Sequence, residues 1–254
     1  MGQALLQVYQ EKTAEGVNKS TLKALFARGL IDESNLITSR GSRYFISKLT
    51  LTKQCDEINL ELEELKLSYT ERPESALLAH YRKLGYVGIS CEGIGILTVL
   101  KALMLDKLAE LNSLNDRGDA CTRYLEAQFT ILKDKINEII PTIRTTTKER
   151  FFSNFQEIIE KPYISLKYPE LSIDFAMALF NATNKDHFVE VAKKLAEDPY
   201  VYRNGWPDLT LIKDKKVLFV EVKTTDKLHD SQLITIPTMC KIFPFKFTVC
   251  KLVK

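Results

Sequence analysis

The chain has 254 residues, 45% hydrophobic and 27% charged, a balance that suits one large globular domain or a catalytic domain with a small companion. Its 36 Lys and Arg against 33 Asp and Glu leave a net charge of +3, compatible with a nucleic-acid partner but no argument for one. Five scattered cysteines without a Cys-x-x-Cys pair and only three histidines argue against structural zinc, and no apolar run is long enough to cross a membrane.

Residues 3–12 are expected to form a short amphipathic helix. Ser20 then caps a second, which runs through Leu22, Leu25 and Phe26 to a stop at Gly29. Leu30–Ile31, a polar turn, Leu36–Thr38, the basic turn Arg40-Gly41-Ser42-Arg43 and Tyr44–Ile46 read as two short strands around a turn. A helix followed by such strands resembles a winged helix, in which Arg40 and Arg43 would touch phosphates and position a duplex without reading its sequence. A small scaffold subdomain with a solvated basic turn fits the same residues. Residues 57–67, acidic and apolar by turns, are assigned to a helix, and Pro73 and Gly85 bracket another from Glu74 to Leu84. A boundary near residues 68–73 divides an N-terminal region, 1–72, from a C-terminal domain, 73–254.

The next helix presents a long apolar face of Ile94, Leu97, Leu100, Leu103, Met104, Leu108 and Leu111, with Lys101 and Lys107 off it. Glu92 at its entry places a favourable charge at a helix N-terminus. Helical spacing resumes from Asn115 to Ile140 and ends at Pro141. Thr146 and Glu149 form a capping-box pattern before Phe151, Phe152 and Phe155. Two helices follow, Glu170 to Asn181 and Lys185 to Glu197, the second capped by Asn184. Their apolar stripes read as core. Gly93-Ile94-Gly95 lacks the strand and third glycine of a dinucleotide site.

Chemistry concentrates between Gly205 and Gln232. Leu209–Ile212 and Val217–Val222 are β-branched-rich runs joined by Lys213-Asp214-Lys215-Lys216, a predicted β-hairpin. Asp208 opens the first strand, and Glu221 and Lys223 end the second. Residues two apart in a strand share a face, so Glu221 and Lys223 point one way and Val222 the other. Two carboxylates and a lysine converging on a hairpin suit a hard divalent cation, held through oxygen with waters left on it, beside an anionic substrate. A helix from His229 to Lys241, interrupted by Pro237, and a closing strand from Phe245 to Leu252 complete the chain.

Pro207-Asp208, an interval, then Glu221-Val222-Lys223 is similar to the PD-(D/E)xK nuclease signature. With Gly205-Trp206 before it and Asp226-Lys227-Leu228 and Gln232 after it, the stretch resembles the VRR-NUC branch of that superfamily, most of all the Fanconi-associated nuclease family. Glu92-Gly93 with Leu100-Lys101-Ala102-Leu103-Met104-Leu105-Asp106, and Leu195–Asp198 before the hairpin, extend the resemblance from Lys83 to the end. It implies an α+β or α/β fold: a mostly helical N-terminal part, then a restriction-endonuclease-like core with a small mixed sheet flanked by helices. It further implies that Asp208, Glu221, Glu92 and the Val222 carbonyl hold one or two Mg²⁺ or Mn²⁺ ions, that Lys223 is catalytic, and that Gln232 supports the lysine or a water. Arg203 and Lys227 remain as DNA contacts. Thr224-Thr225, Ser231 and Tyr200 depart from the family pattern, the last two at basic positions of its 5′-phosphate pocket.

The expected activity is metal-dependent hydrolysis of duplex, flap or branched DNA in repair or phage DNA metabolism. The alternatives are an antibacterial effector neutralised by an immunity protein, and an inactive winged-helix DNA-binding module. Reduced thiols and the N-terminal sequence point to the cytoplasm, near the nucleoid, or to delivery into a target cell's cytoplasm; no membrane partner is expected, and oligomeric state is left open.

Overall fold

The computed structural model describes residues 2–70 and 72–253; Glu71, inside the expected boundary, lies outside them. The N-terminal helices are α1 (Gly2–Glu11), α2 (Lys19–Ala27), α3 (Ser39–Lys48) and α4 (Leu51–Glu57), followed by β1 (Glu61–Lys66). Then come α5 (Pro73–Lys83), β2 (Val87–Ser90) and the long α6 (Ile94–Glu110). A series of shorter helices follows: α7 (Arg117–Thr122), α8 (Leu125–Ile131), a 3-10 turn at Lys133–Lys135, α9 (Ile136–Ile139), α10 (Thr142–Thr145), α11 (Lys148–Ile159), α12 (Pro162–Lys167), α13 (Ile173–Ala182), α14 (Lys185–Glu197) and α15 (Pro199–Arg203). The hairpin β3 (Leu209–Lys213) and β4 (Lys216–Lys223), then α16 (Asp230–Ile242) and β5 (Lys246–Val253), close the chain.

The strands form one mixed sheet in the order β1-β5-β4-β3-β2. β4 runs antiparallel to β3 and parallel to β5, which is parallel to β1. Asp214 and Lys215 take left-handed φ values of 51° and 57°, as a two-residue primed hairpin turn requires. The pleat sorts the strands onto two faces. Leu209, Leu211, Val220, Val222, Cys250 and Leu252 pack with Leu77 and Leu78 of α5. Ile212, Val217, Phe219, Phe247 and Val249 join the larger core under α6, α11, α13 and α16. Helix α6 is buried on every side from Gly95 to Leu105, the mark of a central helix.

Four local expectations give way to the structure. Arg40 and Arg43 lie in helix α3, not in a wing: Thr38 caps it, and a Cβ on Gly41 would meet the Leu30 carbonyl oxygen at 2.0 Å. Only an isolated bridge, Ile31 to Ile37, remains of the expected strands, so the winged-helix reading is corrected to a helical subdomain. Residues 61–66 are edge strand rather than helix, because β5 supplies a backbone ladder and Lys246 and Lys251 pair with Glu61, Glu63 and Glu64. β1 thus joins the sheet from the N-terminal side of the expected boundary. The stretch from Asn115 to Ile140 is broken into short pieces, and Pro141 caps α10. Lys101, expected off the apolar face, is buried and donates to the Cys121 and Arg123 carbonyls at 2.9 and 2.8 Å; burial lowers its pKa to about 8.

Candidate active site

The loop ahead of β3 is held from two sides. Gly205 has a φ of 76°, and a Cβ there would lie 2.2 Å from the Ser231 carbonyl oxygen, so the loop lies directly on the first turn of α16. Trp206 is buried, donates from Nε1 to the Tyr202 carbonyl at 2.8 Å, and sits on Gly93, where a Cβ would fall 2.4 Å from its ring. This packing brings Glu92 beside Asp208: the Glu92 N–H donates to the Asp208 carbonyl at 3.3 Å. Glu92 itself adopts a left-handed φ of 50° and is exposed, so its carboxylate faces open space rather than a core.

Strand β4 carries the rest. Glu221 and Lys223 do share the face opposite Val222, and both are buried, at 1% and 3% exposure. Asp208 Oδ2 accepts the Val222 N–H at 2.8 Å, which ties the two hairpin strands together at the site. Glu221 Oε1 accepts from Gln232 Nε2 at 2.5 Å and from Lys223 Nζ at 2.7 Å. Lys223 also pairs with Asp226 Oδ2 at 3.2 Å. Gln232 is oriented in turn by the His229 N–H, which donates to its Oε1 at 2.9 Å across the capping box of α16.

The electrostatics are those of anionic oxygens short of positive charge. Burial first, and then the Glu74 and Glu92 carboxylates, push Asp208 up to about 6 against the opposing Val222 hydrogen bond. Burial and the neighbouring Asp208 charge push Glu221 up to about 8, although Lys223 pulls the other way. Burial alone would lower Lys223, but Glu221 and Asp226 raise it above the usual lysine range. Among the described residues no three acidic or nitrogen and sulfur donors already converge as a finished metal site. The donor set nevertheless fits a hard cation: Glu221 Oε2 is buried with no hydrogen-bond partner, and the Asp208 carboxylate is near enough to act on it.

An open cleft of about 810 Å³ borders the site, its lining including Arg72, Glu74, Glu92, Lys167, Arg203 and Asp208. Glu74, missed in the sequence, reaches this cleft from the first turn of α5; only the fold brings it near Asp208. Arg203 lines the cleft but is paired with buried Glu126 at 2.9 Å. Lys227 instead donates to the Lys48 carbonyl at 3.4 Å, outside the cleft lining, and Arg40 and Arg43 are also absent from that lining.

A mixed sheet with Asp, Glu and Lys on its central hairpin and a glutamate at the adjoining helix is similar in arrangement to a PD-(D/E)xK core. Residues 146–254 match the VRR-NUC domain family. The whole chain resembles two crystal structures of paFAN1. One, bound to 2nt 5′ flap DNA with gap, has a TM-score of 0.52; the other, bound to 1nt 5′ flap DNA with gap, has 0.50. In both the identity is 16%, and the likeness covers 99% of this chain and 48% of the other, so the chain spans about half the length of the structures it matches. No curated protein matches it.

Proposed function

We propose that the protein is a metal-dependent nuclease that hydrolyses phosphodiester bonds in DNA, acting on flap or branched structures and using Mg²⁺ or Mn²⁺. The observation that carries this reading is the buried Glu221 oxygen without a partner, beside Asp208 and one hydrogen bond from Lys223. Asp208, Glu221, Glu92 and the Val222 carbonyl would hold the cation. When bound, it supplies charge for the scissile phosphate and a water of lowered pKa. Lys223 holds its proton on Nζ between Glu221 and Asp226, a charge available to orient the attacking water or to stabilise the phosphate as negative charge builds. Gln232 fixes the Glu221 carboxylate. With Tyr200 and Ser231 at basic positions of the Fanconi-associated family's 5′-phosphate pocket, stepwise cutting from a phosphorylated end has less support than the metal centre itself.

The test is cleavage of 5′-flap, Holliday-junction, linear duplex and supercoiled DNA with Mg²⁺, Mn²⁺ or EDTA, for wild type and Lys223→Ala. Metal-dependent cutting that falls at least about a hundredfold in the variant, with DNA binding retained, is the expected result. Flap preference supports a repair-like role, and indiscriminate plasmid degradation supports an effector. DNA binding without cutting of any substrate overturns the catalytic reading.

A further inference from the structure

Next to the cleft, short helix α12 turns a group of unusual side chains toward solvent. Tyr163, Leu166 and Lys167 fall three and four residues apart, on one helical face. Leu166 is 84% exposed and Tyr163 48%, in a chain whose other apolar side chains mostly pack. Lys167 Nζ donates to the Tyr124 and Tyr163 hydroxyls at 2.8 and 3.0 Å, and those oxygens lie 2.6 Å apart. The same ammonium stands 5.5, 5.3 and 5.4 Å from the ring centres of Tyr124, Tyr163 and Tyr168. The Arg203 guanidinium stacks over Tyr124 at 5.1 Å.

The charge balance of Lys167 differs from that of Arg203 on the same cleft wall. Arg203 is ion-paired with Glu126. Lys167 is in no ion pair with a carboxylate among the described residues; its polar partners are phenols, which favour the charged form without neutralising it. An un-neutralised cation held in a fixed place, with aromatic rings and a solvated leucine around it, matches what a nucleotide strand presents: a phosphate for the ammonium and flat apolar bases for the rings. Paired bases bury their faces in the stack, so a stacking surface selects unpaired ones. Continuity with the catalytic centre fixes the partner. Lys167, Tyr168 and Arg203 line the same cleft as Glu92 and Asp208, so a strand leaving the centre along this wall meets α12.

Resting on the nuclease reading above, we propose that Tyr163, Leu166 and Lys167, backed by Tyr124 and Tyr168, form a subsite for unpaired nucleotides of the DNA strand beside the cleft. Lys167 takes a phosphate and Tyr163 stacks a base.

The experiment is fluorescence-anisotropy binding in EDTA, which separates binding from cleavage, using a duplex with a single-stranded tail and the blunt duplex of the same sequence. Wild type is compared with Tyr163→Ala, Lys167→Ala and the double variant over a salt series, with melting curves confirming that each folds. These side chains are exposed and leave the core intact. The expected result is about a tenfold loss on the tailed DNA for the double variant, the effect of one stacked base, with less than about a twofold change on the blunt duplex. Lys167→Ala should also flatten the salt dependence on tailed DNA by about 0.7 units of log K against log salt, the effect of one single-strand phosphate contact. Equal losses on both DNAs, or none on either, overturn the subsite. If wild type binds neither DNA, the nuclease reading falls with it; a selective loss in a protein that binds but never cuts keeps the subsite and removes only the catalysis.

Discussion

Glu221 bonds Gln232 and Lys223 through one oxygen and leaves the other without a partner in a buried setting, close to a second carboxylate. Its native pKa lies above the ordinary glutamate value of 4.5, at about 8, and that of Asp208 rises from 3.8 to about 6. Carboxyls raised in the native state favour folding at low pH and lose that contribution as pH rises through the native value, because unfolding then releases a proton. Metal-free protein should therefore lose thermal stability between about pH 4.5 and pH 8, read as Tm in EDTA, from these groups. Glu221→Gln should flatten that slope, raise Tm at pH 8 in EDTA, and abolish both cleavage and any stabilisation by added Mn²⁺. A steeper slope in the variant would contradict this account of the site.

At the scale of elements, the site depends on two backbone approaches that leave no room for a side chain. Gly93 opens α6 under the Trp206 indole, and Gly205 lies against the carbonyl of Ser231. Gly93→Ala should cost about 1–3 kcal/mol in urea unfolding, as overpacking against a buried, hydrogen-bonded tryptophan does. Gly205→Ala should cost more, since it combines the left-handed φ with a backbone clash that no rotamer can relieve. In both variants cleavage should fall by more than the loss of folded protein explains, because each shift moves Asp208 relative to Glu92 or Gln232. The hairpin and the helix capped by Asn184 were legible in the sequence, since turn chemistry, alternation and capping are local signals. β1 was not: its acidic and apolar residues suit a helix in isolation, and only the ladder to β5 with the lysines of that strand makes it a strand.

For the whole molecule, two tertiary links stand out. Gln54 of α4, fully buried, accepts the Leu228 N–H at 2.8 Å and donates to the Ile46 and Leu228 carbonyls at 3.2 and 3.4 Å. It joins the N-terminal helices to the loop that leads from Lys223 to Gln232. Gln54→Ala leaves a buried N–H unpaired, a cost of about 1–3 kcal/mol, and should speed hydrogen exchange at Leu228 while lowering cleavage. On the far side, Asp106 of α6 bonds Arg117 and Arg150, which hold its carboxyl down at about 2. A depressed carboxyl stabilises the fold above its ordinary value of 3.8 and loses this as pH falls toward the native one. Acid unfolding between about pH 4 and pH 2 should therefore be less steep in Asp106→Asn; the pairs are partly exposed, so the effect at neutral pH is at most about 1 kcal/mol.

Read alone, the amino-acid sequence determined the Pro-Asp and Glu-x-Lys pattern with its resemblance to VRR-NUC nucleases, the shared face of Glu221 and Lys223 and most helix positions, because these rest on residue types at short, periodic spacings. Tertiary structure decided what distance along the chain hides. It placed Glu74 and Glu92 at the cleft with Asp208, buried Lys101 against two carbonyls, turned the expected wing into helix α3 and drew β1 into the sheet. Each of these depends on a partner supplied from elsewhere in the chain: a ladder strand, a buried ring, or a charge brought within a few ångströms only by folding.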